Sequence, residues 1–495
     1  MLLLGIDLGT SSIKASVVDA ASRKTIVSVQ YPDIEREIIA LKPGWAEQSP
    51  LQWWKDMKQV ILKAHATKKY NPSEIKAIGI AYQMHGLVLT GKNKNSLRNS
   101  IIWCDSRAIP FGEKAFKKIG EKKCLTHLLN SPGNFTAAKL AWVKKNEPEV
   151  YKQIDKIMLP GDFLALQLTG DSTTSISALS EGVFWDFKKD RLSNDVFNYF
   201  GFEESFIPPI KNVFDWHGAL LKSVAEDLQL TAGITVSYKA GDQPNNALSL
   251  NVFEPGELAA TAGTSGVIYA VTDELQYDKQ SRVNSFAHVN YLPGRKRIGV
   301  LLCINGAGIL NRWIKNNIGN LTYEEMNRLS SEIPKGSEGL QVLPFGNGAE
   351  RMLKNKIMGV QINNLDLNLH TKAHLLRAAQ EGIAFAFRYG FDIMKERGLN
   401  GKIIRAGKAN LFLSNVFTQT FVDSLGIPVE LYQCDGSVGA AIGAGIGTGY
   451  YKNSKEAFEN LKAENRIEPE TKYNEAFYER WKKQLDLQLS SLDSE

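Results

Sequence analysis

The sequence predicts an α/β protein built from two related halves, and three observations predict it. The stretch Leu2–Lys14, LLLGIDLGTSSIK, reads as a buried strand, a tight Gly-Thr-Ser turn and a second strand. The same grammar returns far downstream in Leu258–Val271, LAATAGTSGVIYAV. Between and after these hairpins, short β-branched strands alternate with helix-period segments, the pattern of layered α/β domains. A single hairpin of this kind reads equally well as an ordinary turn or as a phosphate loop. Two of them, far apart in sequence, point to halves that face one another.

The first hairpin also carries chemistry. Backbone N–H groups in a Gly-Thr-Ser turn can converge on a phosphate, and the missing Cβ at Gly9 lets it approach. Asp7, just before the turn, is placed to hold a hydrated Mg²⁺ against that phosphate. Thr10, Ser11 and Ser12 supply hydroxyls.

Composition narrows the classes. A chain of 495 residues, 43% hydrophobic and 23% charged, can bury a large core and argues for several domains. A net charge of +6 over that length, with no basic block, gives no reason to expect a nucleic-acid partner. The four cysteines (Cys104, Cys124, Cys303, Cys434) are scattered without a C-x-x-C pair, which fits neither a zinc site nor a disulfide framework. The N-terminal apolar run stops at Asp7 and lacks a basic lead, unlike a signal peptide. The weakly polar stretch Val438–Tyr451 is too short to span a bilayer. A cytoplasmic protein without a membrane partner is expected.

Taken in order, Thr25–Gln30 reads as a third strand, followed by a loop with Pro43, Gly44, Trp45 and Pro50. Leu51–Lys69 carries Trp54, Met57, Val60, Ile61 and Ala64 at helical spacing. Ile75–Ile80 is a strand running toward Gln83-Met84-His85-Gly86, and polar segments past strand ends are where open α/β sheets meet ligands. His85 reads either as a turn histidine satisfied by backbone or as a ligand contact. Ile101–Arg107, IIWCDSR, reads as a short strand and then an acid–base pair, Asp105 and Arg107, expected at the surface. Leu140–Lys145 and the segment around Val150 read as helical. Ile157–Gly170 reads as a strand, a Pro-Gly-Asp turn and an amphipathic helix. Ser172–Ser180 reads as a polar loop, and Phe197–Pro209 as a loop.

In Ile234–Leu250 a β-branched strand runs into Ala240-Gly241-Asp242-Gln243-Pro244. Pro244 suits the first turn of a helix, so Asp242 sits at the seam between strand and helix. It reads either as a general base in a cleft or as a helix-capping Asp. Val300–Ile304 is a strand, followed by Asn305-Gly306-Ala307-Gly308 and a helix with Leu310, Trp313 and Ile314. Leu343–Gly348 is a turn cluster. Thr371–Arg397 is the clearest helix, with Thr371 as N-cap and Leu376, Ala379, Ile383, Phe387 and Phe391 on one face. His370 and His374 at its start are expected to be structural. Ile403–Ala409 is a strand and Gly turn leading to a helix from Leu413, and Val429–Leu431 is a strand. Ser437–Tyr450 is a helix of Gly and Ala, whose bare surface admits close approach by a neighbour or a nucleotide base. Plain helix–helix packing is the other reading. Glu475–Leu492 is an amphipathic helix with a polar tail.

The segments GIDLGTSSIK, GWAEQSPLQWW, QMHG, IIWCDSRA, AGDQPNNA, TAGTSG, NGAG, HTKAHLLRAAQEGIAFAFR, IRAGKAN and DGSVGAAIGAG, in that order, closely resemble the FGGY family of carbohydrate kinases. Within it, Gln83–Gly86 looks most like the xylulokinase branch. The resemblance implies two actin-like (ribonuclease-H-like) ATPase domains flanking a deep cleft. Residues 1–248 would bind the sugar and carry the catalytic Asp, and residues 249–495 would bind the nucleotide. It implies ATP and Mg²⁺ as cofactors and a small sugar, D-xylulose first, as acceptor. It implies Asp242 as general base and Asp7 as the carboxylate that holds Mg²⁺ through water, since Mg²⁺ gives up its hydration shell reluctantly. Gln83, Met84, His85, Gly86, Trp103, Asp105, Asp242 and Gln243 would meet the sugar. Gly9, Thr10, Ser11, Gly263, Thr264 and Ser265 would bind phosphates, with Gly308, Gly407 and Asn410 at the nucleotide's other end. Three segments depart from the family's usual form: AGKANLFLS lacks a three-glycine run, LPFGNGAERM differs from Tyr-Leu-x-Gly-Glu-Arg, and TTSISALSEG lacks a Thr-Asp pair. A kinase for ribulose, gluconate or glycerol, or a non-kinase actin-like ATPase, stays open as an alternative. A homodimer is the common default for oligomers.

Overall fold

The computed structural model describes residues 1–470 and 474–492. Its first sheet contains β1 (Leu2–Leu8), β2 (Ile13–Asp19), β3 (Thr25–Tyr31), β4 (Ile75–Tyr82) and β5 (Thr235–Gly241). Their spatial order is β5-β4-β1-β2-β3, with β1, β2 and β3 antiparallel and β4 and β5 parallel to β1. The second sheet contains β6 (Leu258–Ala262), β7 (Gly266–Thr272), β8 (Asn284–Ala287), β9 (Ile298–Ile304), β10 (Ile404–Gly407), β11 (Val429–Tyr432) and β12 (Asn465–Ile467). Within it the run β9-β7-β6-β10-β11 has the pairing directions of β3-β2-β1-β4-β5. The two halves therefore repeat one topology, the actin-like (ribonuclease-H-like) ATPase fold, with β8 and β12 added at the edges of the second.

The helices that matter for the site are α1 (Pro50–Ala66), α2 (Thr136–Asn146), α3 (Pro160–Thr169), α4 (Ile176–Glu181), α5 (Asp242–Ser249), α6 (Gly308–Asn317), α7 (Lys372–Lys395), α8 (Asn415–Leu425) and α9 (Gly436–Gly447). A last helix, α10 (Ala476–Leu492), packs Trp481 beside Phe345 and Phe385, and its indole N–H donates to Val342 O at 2.8 Å. The polar tail expected after it lies outside the described residues. Among the described residues, no helix is long and apolar enough to cross a membrane.

The helix α9 follows the last shared strand of the second half, yet it packs on the first sheet, against β1, β4 and β5. The sequence explains how. Gly5 of β1 and Gly79 of β4 are register partners, so they form a bare strip. A Cβ on Gly5 would lie 1.8 Å from Ser437 O, and one on Gly79 would lie 1.9 Å from Ala440 O. Gly447, on the helix side, meets Ser237 O at 1.9 Å by the same construction. The close neighbour of the Gly/Ala helix is thus a sheet, rather than a base or another helix alone. In return α5, which follows the last strand of the first half, contacts α9, β6 and β7. Each half covers part of the other.

Several expectations need correction. The Ile101–Arg107 strand shrinks to Ser100–Ile101. Asp105 and Arg107 are buried, not a surface pair: Arg107 lies against the rings of Trp45 and Trp142, which meet edge to face, and bonds Asp105 and Glu47. Pro160-Gly161-Asp162 is the first turn of α3, where proline's missing N–H costs nothing, and α3 is buried nearly all round instead of amphipathic. The Ser/Thr run forms a short strand, Thr174–Ser175, and then α4, all buried. Phe197–Pro209 begins inside a helix, Asn194–Phe200. Leu413 ends a 3₁₀ turn, Asn410–Leu413, and α8 starts at Asn415. In α7, His374 supports the N-cap Thr371 by accepting from its N–H at 3.1 Å, and its other ring nitrogen meets Glu338 at 2.6 Å.

The seat of α9 generates a stability prediction. Gly79→Val places a branched side chain where the α9 backbone lies, and overpacking of this kind costs about 1–3 kcal/mol or more. Urea denaturation is expected to show a midpoint lowered accordingly; an unchanged midpoint would mean that α9 does not rest on β4.

Candidate active site

The site is assembled where α9 begins. The turn after β1 sets the hairpin register so that Asp7 pairs with Lys14. Asp435 caps α9 by accepting from Ser437 N–H at 2.9 Å, and Lys14 Nζ reaches the same carboxylate at 3.1 Å. The next residue, Gly436, has no room for a side chain, because a Cβ there would sit 2.2 Å from Asp7 Oδ2. Asn245 of α5 donates to Gly436 O at 2.9 Å, so α5 closes the group. Asp7, Lys14, Asp435 and Asp242 are thus gathered from four elements of both halves.

Their electrostatics follow from burial and mutual repulsion. Burial, then the Asp435 charge, raises Asp7 to about 6, with Lys14 opposing. Burial, then the Asp7 charge, raises Asp242 to about 7, against hydrogen bonds from Gln243. The Asp435 carboxyl is held below its usual range despite burial, because Lys14 and Ser437 stabilise its charge. Asp242 is not a capping residue: the N-cap of α5 is Gly241, and Asp242 is the first helical residue.

The two Gly-Thr-Ser turns are held in the same manner. In the first, Arg36 N–H donates to Ser11 O at 2.8 Å, Gln48 Nε2 to Thr10 O at 2.8 Å, and Gly9 N–H to Ser12 O at 3.0 Å. In the second, the first N–H groups of α6 donate to the turn: Gly308 to Gly263 O at 3.0 Å and Ile309 to Thr264 O at 3.1 Å. Since C=O and the following N–H point in opposite directions across a trans peptide, the N–H groups of Ser11, Ser12, Thr264 and Ser265 face away from these donors. Gly9 N–H is itself spent inside its turn. Gly308 is required for closeness, as a Cβ would lie 2.2 Å from Gly263 O. Asn410, exposed and left-handed at φ 54°, lies beside Gly263, whereas Gly407 lies beside Cys434, next to Asp435.

The segment after β4 divides between scaffold and surface. Gln83 is buried and braces the first turn: its Nε2 donates to Gln48 Oε1 at 2.9 Å and its Oε1 accepts from Thr10 Oγ1 at 3.3 Å. The exposed Trp103 donates its indole N–H to Thr10 Oγ1 at 3.0 Å. Gly86 is buried against Pro160. Asp105 is fully buried, and its carboxylate accepts from Ala46 N–H and Arg107. Met84 lies against Gly241, next to Asp242. His85 adopts φ 62°, which costs a non-glycine residue roughly 1–2 kcal/mol. Its ring packs on Phe135 of the first half and Phe286 of the second, with centroids at 4.9 and 5.3 Å.

Sequence reasoning missed Lys14, Asp435, Glu181, Lys139 and Arg351. Lys14 was within reach, because a Gly9–Ser12 turn pairs residue 7 with residue 14. Asp435 had the signal of an Asx residue before a Gly-Ser helix start. Glu181 bonds Tyr82 and His85 from α4, and Arg351, whose charge bears on His85, belongs to the second half. Neither carries a local signal.

Comparison with known proteins bears on the family. The model for the N-terminal domain of the FGGY family of carbohydrate kinases matches residues 2–249, and that for the C-terminal domain matches residues 258–448. A xylulose kinase of Haemophilus influenzae is 30% identical over 416 residues, 82% of each chain. A xylulose kinase of Bacillus subtilis is 28% identical over 479 residues, 93% of this chain and 91% of that one. A xyloylose kinase from Brucella ovis superposes with TM-score 0.86 at 26% identity, over 100% of this chain and 99% of that one. A glycerol kinase from Plasmodium falciparum with ADP shares the fold, with TM-score 0.87 at 19% identity over 99% of this chain and 98% of that one. With both domain models matched around one shared site, the chain belongs to the FGGY family of carbohydrate kinases.

Proposed function

We propose that the protein transfers the γ-phosphoryl group of ATP to D-xylulose, giving D-xylulose 5-phosphate and ADP. The observation that carries this reading is the packing of Met84 against Gly241, the residue before Asp242, in a chain whose relatives named xylulose kinase align over most of its length. Residues 1–248 bind the sugar and provide Asp242, and residues 249–495 bind the nucleotide.

A sugar hydroxyl is a weak nucleophile. Asp242 accepts its proton as the oxygen bonds to the γ-phosphorus and the bond to the β-phosphate oxygen breaks. A carboxyl raised to about 7 is a stronger base than an ordinary aspartate and suits this transfer near neutral pH. The turn N–H groups of Ser11, Ser12, Thr264 and Ser265 bind phosphate oxygens. Met84, His85 and Trp103 meet the sugar directly. Gln83, Gly86 and Asp105 act from behind as scaffold, and Gln243 bonds Asp242. Gly407 and Asn410 line the far end of the nucleotide.

The residues fit Mg²⁺. Asp7 and Asp242 are partly exposed carboxylates that repel one another, which a divalent cation would relieve, and carboxylate oxygen is its preferred donor. Asp7 would hold the ion through water, as Mg²⁺ gives up its hydration shell reluctantly. Bound there, the ion neutralises phosphate charge.

ADP release is the direct assay. With Mg-ATP and a panel of ketoses, polyols and sugar acids, D-xylulose is expected to give the highest kcat/KM. Asp242→Ala is expected to lose activity by at least about 10²–10⁴-fold, with the thermal midpoint held. Near-normal turnover in that variant, or no response to D-xylulose above basal hydrolysis, contradicts the proposal. Chelation by EDTA should abolish activity and added Mg²⁺ should restore it. Asp7→Asn should then need a higher Mg²⁺ concentration for half-maximal rate.

A further inference from the structure

His85 is clamped by two buried ionisable side chains that the reaction itself does not use. Its N–H donates to Glu181 Oε2 at 3.1 Å, and its C=O accepts from Lys139 Nζ at 2.8 Å and Thr136 Oγ1 at 3.3 Å. Glu181 is 1% exposed and Lys139 0% exposed. Glu181 Oε1 is fixed in turn by the Tyr82 hydroxyl at 2.7 Å. The ring is held as well, since Nδ1 lies 3.0 Å from the Glu181 carbonyl oxygen. A carbonyl can only accept, so Nδ1 carries the hydrogen. Burial and the nearby Lys139 charge push the imidazole down to about 3, so the ring is neutral. The other nitrogen, Nε2, therefore presents a lone pair and can only accept.

We propose that Glu181 and Lys139 are positioning residues that fix the left-handed backbone and the Nδ1–H tautomer of His85, so that Nε2 serves as an acceptor for a sugar hydroxyl. The inference rests on the reading of His85 as a sugar contact. The pair acts through the two ends of one residue. Glu181 holds the N–H and, through its own carbonyl, the ring; Lys139 holds the carbonyl from α2 on the opposite side. Without them the peptide is free to leave a backbone conformation that histidine rarely adopts. The pocket would then lose an acceptor in a defined direction, which affects sugar binding and leaves the nucleotide untouched.

The test uses the full chain and the variants Glu181→Met, Glu181→Gln and Lys139→Met, each checked by thermal melting. Steady-state kinetics are expected to show KM for D-xylulose raised about tenfold or more in Glu181→Met and Lys139→Met, as for loss of one well-placed hydrogen bond. KM for ATP should stay within about twofold of wild type. Glu181→Gln, which keeps an acceptor for His85 N–H, should restore most of the sugar affinity. Nitrogen-15 histidine spectra of the sugar-free protein, with His85→Asn used for assignment, are expected to show a neutral Nδ1–H ring in wild type and mixed tautomers in Glu181→Met. A wild-type ring protonated on Nε2 overturns the proposal. So does an unchanged sugar KM and tautomer in folded Glu181→Met or Lys139→Met. Should one variant fail to fold, the other decides. The spectra contain no sugar, so a different acceptor in the substrate panel would refute the D-xylulose reading without touching this one, and the kinetics would use that acceptor.

Discussion

Where the backbone of α9 lies directly on the backbones of β1 and β4, a helix that belongs to the second half becomes part of the first. The contact exists because Gly5 and Gly79 stand side by side in register and leave no side chains in the way. Nearly everything in the site depends on it. The N-terminus of α9 arrives at the end of β1, bringing Asp435 to Lys14 and Gly436 to the Asp7 carboxylate. The reciprocal crossing of α5 brings Asp242 and Asn245 to the same place. Two crossed helices, one following each half's last shared strand, therefore meet at the site itself.

This placement has an electrostatic cost. Asp7 and Asp242 lie close enough to repel, each partly exposed, and both are raised into a range where a carboxylate readily takes a proton. Lys14 relieves Asp435 more than it relieves Asp7. Such strain is characteristic of sites that await a charged ligand. The polar turns around it are braced from behind by Arg36, Gln48 and the start of α6, so their donors are oriented before any phosphate arrives.

Much of this was legible in the sequence, and the limits have physical reasons. Both hairpins, β4, β5 and the strand–helix seam at Asp242 declare themselves by local pattern, because a two-residue period broken by a Gly-rich turn has few alternatives. The Gly/Ala helix declared its bare surface but not its partner, three strands of the other half that lie far away in the chain. Polarity misled where it was buried. The Ser/Thr run looked like a loop, yet its hydroxyls bond the edge strand β8, as in Ser177 Oγ to Ala287 O at 2.8 Å. Asp105 and Arg107 looked like a surface pair, yet both are buried, with Arg107 against two tryptophans. Glu181 and Lys139 gave no sign, since only the fold brings them to His85.

The central claim is that the crossed helices present Asp242 to the hydroxyl that receives the phosphoryl group. A crystal structure with D-xylulose and a non-hydrolysable ATP analogue measures this directly. The account predicts the Asp242 carboxylate within about 2.6–3.2 Å of the acceptor hydroxyl, on the side open to the γ-phosphate. A ketose bound in the cleft with Asp242 turned away from every hydroxyl, or seated outside the cleft, would contradict it.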